Sequence, residues 1–386
     1  MNQRDLTIRK IECFKVPPRW LFLKMTTESG IVGWGEPLVE GKADSVEACV
    51  REFSEFMVGQ SAGNIEDGFQ MMYRGGFYRG GPVMTSALSG IEQAMWDIKG
   101  KYLGVPVYEL LGGKVRDKIR VYRWIGGDHP RDAAEGAKVA LSQGYSAIKM
   151  NGTDELRWID SFEKLDACIE RVAAIREVSK TIDIAVDFHG RVHKSMAKTL
   201  MRKLEPYNLM FVEEPVLCEN EEEFDYLAQI SNIPIATGER NFTRWGFKRL
   251  ISSRGVDIIQ PDVSHCGGIL EARKISAMAE AYDVSVALHC PLGPIALAAC
   301  LNVDFCTPNA FIQEQSAGIH YNEGYDLLNY LKNPEIFHYQ EGACKIWDTP
   351  GLGVEVDEDY VRRMAETGHN WHNPIWRDED GVVAEW

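Results

Sequence analysis

The sequence predicts an α/β barrel of the TIM type, preceded by a smaller α+β domain. Strand and helix patterns mix over the first 120 or so residues, and after residue 120 short apolar runs alternate with amphipathic stretches. An ionisable residue also follows most of these runs. The carboxyl ends of parallel barrel strands meet at one face, where the active sites of such barrels lie. We therefore expect an active site at that face.

The first 120 residues are predicted to form a unit of their own. Alternating apolar residues between 6 and 34 predict a small antiparallel sheet, with a turn at 28–30. Apolar residues at helical spacing predict helices over 45–58 and 86–102. We place the first domain at residues 1–120.

The barrel is predicted over residues 121–350. Long periodic segments at 161–178 and 270–282 predict helices between its strands. A doubly wound sheet is the alternative, but eight units without a Gly-x-Gly-x-x-Gly turn favour closure. The tail, 351–386, is rich in turn residues, charge and tryptophan, and we expect it to pack back on the first domain. The eight predicted strands are 119–122, 147–150, 182–186, 210–212, 235–237, 256–259, 284–288 and 311–312.

Composition and charge exclude several classes of function. The 386 residues carry a formal charge of -15, with lysine and arginine interspersed among acids, so the chain has no basic surface for nucleic acid. No apolar run approaches the 18 or so residues of a membrane helix. The nine cysteines are scattered without a Cys-x-x-Cys pair, which is typical of a reducing cytoplasm. We expect a cytoplasmic protein without a membrane partner.

Polar residues recur at the predicted strand ends about once per βα unit. Three of them are carboxylates at consecutive strand ends. Taken singly, Asp187 could cap a helix, Glu213 could end a strand at a turn, and Glu239 could form a surface pair with Arg240. The full set is Lys149, Asp187, Glu213, Glu239, Asp262, His289 and Glu314.

Together, the three carboxylates predict a metal site. Asp187, Glu213 and Glu239 would repel one another and raise their pKa values unless a cation lay among them. Ligands that are all oxygen favour a hard ion, Mg²⁺ with Mn²⁺ as a substitute, over zinc. Lys149 would offset the remaining negative charge.

Two histidines are the acid–base candidates. His289 and Asp262 end neighbouring strands, so the carboxylate can hold one ring nitrogen and make the other a better base. His189 lies two residues beyond Asp187, and alternation along an extended strand end would put both side chains on one side. We interpret His193 and His265, which lie further into loops, as uninvolved.

Five motifs in this order resemble those of the mandelate racemase and enolase superfamily. Within that superfamily, Asp187-Phe-His-Gly-Arg191 and the closing segment from Asn373 are similar to those of sugar-acid dehydratases. The resemblance runs from Pro17 to Trp386. Each motif alone is weak, but the ordered set is specific. The five motifs are Val212-Glu-Glu-Pro215, Thr237-Gly-Glu-Arg240, Gln260-Pro-Asp262, Ala287-Leu-His-Cys-Pro-Leu-Gly-Pro294 and Gln313-Glu-Gln-Ser316.

The resemblance implies a modified (β/α)7β barrel whose mouth is covered by a capping domain, formed by residues 1–120 and the tail. It implies Mg²⁺ on the three carboxylates, the Asp262–His289 dyad, and a carboxyl at Glu314 beside the developing enolate oxygen. Homo-octamers are common in such proteins. The substrate-binding residues that we predict are Lys149 and Asn151 in the barrel, Arg19, and Tyr78 in the loop 75–81.

One departure from the wider superfamily bears on the reaction. Racemases usually carry Lys-x-Lys on the second strand, whereas this chain has Lys149-Met150-Asn151. Racemisation needs a proton relay on both faces of the planar intermediate, but elimination needs one base and one acid. The missing second lysine therefore favours elimination over racemisation. The resemblance implies dehydration of a sugar acid through a metal-stabilised enediolate, and we expect D-galactonate as the substrate. The alternatives are another aldonate or aldarate, such as L-fuconate or D-gluconate, an epimerase, or a non-catalytic sugar-acid binder.

Overall fold

The structure, a computed structural model, describes residues 3–127, 129–317 and 319–385. None of the helices in these segments is long and apolar enough to cross a membrane. An antiparallel sheet and four helices come first. The sheet has the order β1-β2-β3. These elements are β1 (Ile8–Val16), β2 (Trp20–Thr27), β3 (Val32–Gly35), α1 (Ala43–Met57), α2 (Ile65–Arg74), α3 (Pro82–Leu103) and α4 (Val107–Leu110).

The sheet packs directly on α3, the most buried helix of this domain. Glycine allows the close approach, because a Cβ at Gly35 would lie 2.0 Å from the carbonyl oxygen of Gly90 in α3. Asp97 of the same helix accepts a hydrogen bond from the backbone N–H of Trp34 at 2.9 Å. These contacts hold β3 against α3.

Seven parallel strands form the barrel sheet, in the order β11-β10-β9-β8-β7-β6-β5. A helix follows each of them along the chain. The strands are β5 (Arg123–Trp124), β6 (Ala147–Asn151), β7 (Asp183–Asp187), β8 (Phe211–Glu213), β9 (Ile235–Thr237), β10 (Ile258–Ile259) and β11 (Ser285–Val286). The helices are α5 (Pro130–Ser142), α6 (Phe162–Val178), α7 (Lys194–Leu204), α8 (Glu222–Ile230), α9 (Thr243–Ser252), α10 (Ile269–Glu280) and α11 (Pro294–Phe305).

The segment 310–313 closes the barrel. It makes parallel bridges on both sides, Val286 with Ala310 and Val121 with Gln313. Seven strand–helix units followed by this last strand segment are the (β/α)7β arrangement, and the predicted fold class is confirmed.

The first predicted barrel strand is divided in the structure. Residues Lys118–Arg120 form β4, which pairs antiparallel with β12 (Ala343–Lys345) outside the barrel. The barrel strand β5 begins only at Arg123 and pairs with β6. The apolar residues of the segment 119–122 predicted that it is buried. They did not indicate which strand each half of the segment would pair with.

The barrel interior is apolar below and polar above. The lower layer combines small side chains, among them Ala147 and Ala185, with the rings of Tyr122 and Phe211. Strand alternation places Lys149 and Asp187 two residues further along the same strands, in the upper layer. The polar layer therefore lies at the carboxyl ends, below the first domain.

Part of the tail contacts the first domain. Helix α12 (Glu358–Thr367) contacts β1 and β2, and Lys24 bonds Glu358 at 2.6 Å. His369 Nε2 lies 3.1 Å from the carbonyl oxygen of Trp20. The domain limits 1–120, 121–350 and 351–386 stay predictions, and Trp386 lies outside the described residues.

Candidate active site

A cavity of about 320 Å³ lies at the carboxyl ends of the barrel strands. Residues of the barrel, of the first domain and of the tail all line it. Three predicted site residues, Glu213, Asp262 and Glu314, are at most 1% exposed and lie behind this lining. The predicted residues that line the cavity are Arg19, Lys149, Asn151, Asp187, His189, Glu239 and His289.

The three predicted metal ligands come together. One carboxylate oxygen from each of Asp187, Glu213 and Glu239 lies within 4.8 Å of the other two. Burial and the charge of Asp187 raise the pKa of Glu213 well above its ordinary value. The backbone that carries these residues is the end of β7, the end of β8 and the turn after β9.

Lys149 is the cation of this cluster. Its ammonium nitrogen lies 3.1 Å from Asp187, 2.5 Å from Glu213 and 3.2 Å from Glu314. Burial alone lowers the pKa of Lys149, but these carboxylates raise it by more, so the side chain stays charged. One ammonium therefore balances part of the charge of three buried acids.

The oxygen atoms of the cluster fit a hard divalent cation. Oδ2 of Asp187, both oxygens of Glu213 and Oε2 of Glu239 are buried, and no described residue donates a hydrogen bond to them. Lys149, His189 and His289 supply only ion-pair contacts to this set. Buried carboxylates with free lone pairs, arranged within one coordination sphere, are the donor set of Mg²⁺ or a similar ion.

The predicted dyad is present. His289 Nδ1 lies 2.7 Å from Oδ2 of Asp262, and Asp262 and His289 form a parallel bridge between neighbouring strand ends. When the ring is neutral, Nδ1 donates to the Asp262 carboxylate and Nε2 is the acceptor. It lies 3.5 Å from Glu239 Oε2. A base at His289 would thus act beside the carboxylate cluster.

The backbone conformation that places His189 in the site differs from the extended one that strand alternation predicts. Strand β7 ends at Asp187, and His189 has a left-handed backbone with φ of 49°. Its backbone N–H donates to Asp187 Oδ1 at 2.8 Å, and its Nε2 lies 3.2 Å from Asp187 Oδ2. The predicted proximity of the two side chains is present, but a turn produces it, not an extended strand end.

A neighbouring ion pair holds this turn. Arg240 forms two contacts with the Glu214 carboxylate and donates from Nη2 to the carbonyl oxygen of His189 at 2.9 Å. Gly190 allows this approach, because a Cβ there would lie 2.6 Å from Arg240 Nη2. Left-handed backbone at a non-glycine residue costs free energy, about 1–3 kcal/mol, and persists where its surroundings hold it. We interpret Arg240 as a positioning residue for His189.

The charge of the cluster acts on both histidines. Burial lowers the pKa of His289, but Glu239, Glu314 and Asp262 raise it by more, so that it lies well above the ordinary value. For His189 burial dominates the carboxylates, and its pKa is lowered. A divalent cation would cancel much of the carboxylate charge that acts on both rings. The protonation states that matter for chemistry are therefore those with the cation bound.

Glu314 is held by three donors, one of which sequence reasoning missed. Its Oε1 accepts from Trp124 Nε1 at 2.9 Å and from Lys149 at 3.2 Å, and its Oε2 accepts from the backbone N–H of Cys290 at 2.8 Å. That Glu314 acts beside the developing enolate oxygen stays a prediction. Trp124 follows the predicted strand 119–122 by two residues, so a correct strand end would have identified it.

The predicted substrate-binding residues divide into two groups. Lys149 and Asn151 lie in the cavity wall, and Asn151 Oδ1 is buried without a hydrogen bond from the described residues. Arg19 also lines the cavity, but its guanidinium bonds Asn322, Glu40 and Pro291. Tyr78 is 87% exposed and is not part of the cavity lining, so the structure does not bring it to the other site residues.

His265, interpreted from sequence as uninvolved, lines the cavity. It is buried, and its Nε2 lies 3.5 Å from Asp262 Oδ2. The chain turns back after β10, since the backbone N–H of His265 bonds the carbonyl oxygen of Asp262 at 3.0 Å. In the sequence His265 lies three residues beyond Asp262 in a predicted loop. That position did not indicate that the chain turns back toward the site.

Comparison with protein families gives two matches that together span most of the chain. Residues 17–112 match the N-terminal domain of mandelate racemase and muconate lactonizing enzyme, and residues 132–360 match an enolase C-terminal domain-like family. The two matches correspond to the sheet-and-helix domain and the barrel.

Curated relatives match over nearly the whole chain. A D-galactonate dehydratase of Ralstonia pickettii (strain 12J) and one of Pectobacterium atrosepticum are each 53% identical over 382 residues, which is 99% of this chain and all of each relative.

Solved structures of the same fold are more distant in sequence. A mandelate racemase/muconate lactonizing enzyme from Sulfitobacter sp. is 29% identical with a TM-score of 0.88, over 96% of this chain and 98% of that chain. An enolase from Agrobacterium radiobacter, with bound Na and L-malate, is 29% identical with a TM-score of 0.89, over 98% of this chain and all of that chain. With these relatives and this site, the chain belongs to the mandelate racemase and muconate lactonizing enzyme family of the enolase superfamily, and it is a hydro-lyase.

Proposed function

We propose that this hydro-lyase converts D-galactonate to 2-dehydro-3-deoxy-D-galactonate with Mg²⁺ as its cofactor. The observation that carries the proposal is that His289, paired with Asp262 at 2.7 Å, and His189 line one cavity beside the cluster of three carboxylates. The two 53% identical relatives, both named D-galactonate dehydratase, support this substrate.

The first step is removal of the proton on C2, next to the substrate carboxylate. This proton is far too weakly acidic for a histidine acting alone. His289 takes it through Nε2, and Asp262 stabilises the imidazolium that forms. Lys149, charged and fully buried, stabilises the second negative charge that the carboxylate group gains in the enediolate. Mg²⁺, held by Asp187, Glu213 and Glu239, would supply the larger part of that charge stabilisation.

The second step is loss of the hydroxyl on C3. Hydroxide is a poor leaving group, so His189 donates a proton to the departing oxygen, and water leaves as the C3–O bond breaks. The electron pair of the enediolate forms the C2–C3 double bond. The resulting enol takes up a proton at C3, releases the proton of its C2 hydroxyl, and becomes the 2-keto-3-deoxy acid. Each positioned proton transfer contributes roughly a hundred- to ten-thousandfold in rate.

A substrate panel tests the substrate assignment. Purified protein with Mg²⁺ is incubated with stereoisomeric aldonates and aldarates, and the 2-keto product is detected with semicarbazide. We expect D-galactonate to react, and L-fuconate, D-gluconate and the aldarates to react far more slowly or not at all. Preferred turnover of another acid would reassign the substrate, and a product that retains its hydroxyl would indicate an epimerase. An absence of product with every acid would support a binding protein.

Metal addition should stabilise the fold. Asp187, Glu213 and Glu239 repel one another, and a bound divalent cation removes that repulsion only in the folded state. Saturation at a hundred times the dissociation constant adds about 2.7 kcal/mol to the free energy of unfolding. We expect Mg²⁺ to raise the melting temperature of EDTA-treated protein, as measured by differential scanning calorimetry.

Two variants control this measurement. Glu213→Gln removes one ligand, so its melting temperature should respond little to Mg²⁺. Glu170→Gln makes the same change at an exposed position on α6 and should respond as the unaltered protein does. Equal responses of all three proteins would place the metal elsewhere.

A further inference from the structure

We infer that Glu40 and His265 form a distal hydroxyl subsite of the cavity, which favours a sugar acid with one carboxylate over a diacid. The inference rests on the proposed sugar-acid dehydration and names the class of acid. Glu40 belongs to the first domain, in the loop after β3, and His265 belongs to the barrel. Both line the cavity, and Glu40 Oε2 lies 3.8 Å from His265 Nε2.

Arg19 orients the Glu40 side chain. Arg19 Nη1 donates to Glu40 Oε1 at 3.1 Å, while its Nε and Nη2 donate to Asn322 Oδ1 and to the carbonyl oxygen of Pro291. The Arg19 side chain is 4% exposed, and its guanidinium lies over the rings of Trp20 and Trp371. Each nitrogen atom of the guanidinium therefore already has a protein acceptor. We interpret Arg19 as the residue that orients Glu40, because its positive charge is already paired.

The second oxygen of Glu40 remains available. No described residue donates a hydrogen bond to Oε2, and His265 at 3.8 Å is beyond hydrogen-bonding distance. The side chain is 22% exposed. A carboxylate oxygen in this state accepts hydrogen bonds, and a sugar hydroxyl is a suitable donor.

His265 supplies the complementary donor. Its Nδ1 lies 3.0 Å from Oγ of Ser86 in α3, which holds the ring. Its Nε2 faces two carboxylates, Asp262 at 3.5 Å and Glu40 at 3.8 Å. Neither ionised carboxylate can donate, so the hydrogen of the neutral ring belongs on Nε2 and Ser86 donates to Nδ1. A hydroxyl oxygen between the two side chains could donate to Glu40 and accept from His265.

Glu40 and His265 lie on the side of His289 that is away from the carboxylate cluster. Contacts lead from Glu239 to His289, from His289 to Asp262, from Asp262 to His265, and from His265 to Glu40. The ring centroids of His289 and His265 are 6.3 Å apart. With C1 at the cluster and C2 beside His289, the carbons beyond C3 extend toward Glu40.

The charge of Glu40 then selects among acids. A hydroxyl at the far end of the substrate donates to the carboxylate, whereas a second carboxylate there would face a like charge and could not donate. The positive charge of Arg19 is already paired with Glu40. D-galactonate and galactarate are a matched pair of ligands, since they differ only in the oxidation of C6.

The experiment compares kcat/KM for these two acids in the Mg²⁺-loaded enzyme and in Glu40→Gln, which keeps the shape of the side chain and removes its charge. We expect the unaltered enzyme to prefer D-galactonate. In Glu40→Gln, kcat/KM for D-galactonate should fall about ten- to a hundredfold, the usual worth of a hydrogen bond to a charged group. The preference over galactarate should narrow by a similar factor. His265→Asn should lower kcat/KM for D-galactonate while leaving a preference against galactarate.

Controls separate this subsite from general damage. Glu55→Gln makes the same change at an exposed position of α1 and should leave both values unchanged. A folded Glu40→Gln protein with an unchanged ratio between the acids would overturn the inference. If the unaltered enzyme dehydrates neither acid, the proposed function fails, and calorimetric binding of both acids with Mg²⁺ still tests the subsite: Glu40→Gln must shift the binding preference toward galactarate.

Discussion

His289→Asn should abolish both exchange of the C2 proton and dehydration. Asparagine fills similar space beside Asp262 but has no basic nitrogen at the position of Nε2. Without a base the enediolate does not form, and every later step depends on it. A positioned base contributes about a hundred- to ten-thousandfold to the rate, so kcat should fall by at least that factor. Proton NMR of D-galactonate in D₂O measures the exchange, and semicarbazide measures the product.

A distant histidine serves as the matched control. His338→Asn makes the same substitution at an exposed position after a short 3-10 helix and should retain both activities. Deuterium at C2 of D-galactonate recovered from the His289→Asn reaction would show that another group takes the proton. His189 would then be the first candidate, because it is the other histidine beside the carboxylate cluster.

His189→Asn should separate the two steps. His289 and Asp262 are untouched in this variant, so the enediolate still forms and returns to substrate with deuterium at C2. Departure of the 3-hydroxyl lacks its proton donor, and dehydration should fall by about a hundred- to ten-thousandfold. We therefore expect recovered D-galactonate to carry deuterium while almost no 2-keto product accumulates.

The two variants together assign the roles. Loss of exchange in His189→Asn with retained exchange in His289→Asn would reverse the acid and the base. That outcome has some physical basis, since the carboxylates raise the pKa of His289 whereas burial lowers that of His189. Arg240→Gln gives a further check on the acid, because it releases the backbone of His189 without removing the ring.

Much of the site could be predicted from sequence because barrel chemistry is tied to chain order. The residue that follows each apolar run lies at one face, so Asp187, Glu213 and Glu239 could be assigned to one cluster before any coordinates were known. The same rule brought Asp262 to His289. The rule missed Trp124 because the predicted end of the first barrel strand was wrong. It did not point to His265 because the chain turns back after the strand that precedes this residue.

The first domain was less predictable at the site. Its sheet and helices follow from periodicity, but which of its loop residues face the cavity depends on how it docks on the barrel. Arg19 lines the cavity, yet each of its nitrogen atoms already donates to Glu40 or to one of two partners from the barrel side. Tyr78 lies out in solvent. Glu40 carries no sequence signal that distinguishes it from the other acids of this acidic chain.

The sequence by itself determined the fold class, the carboxylate cluster and the pairing of Asp262 with His289. The reason is that strand alternation and the order of strands along the chain can be read from the sequence, and a closed barrel makes consecutive strands neighbours. Only the tertiary structure decided which residues of the turns and loops meet. The left-handed turn that brings His189 to Asp187, the clamp of Arg240 on that turn, and the approach of Glu40 to His265 depend on contacts between segments far apart in the chain. Such contacts follow from packing of whole elements and leave no periodic trace.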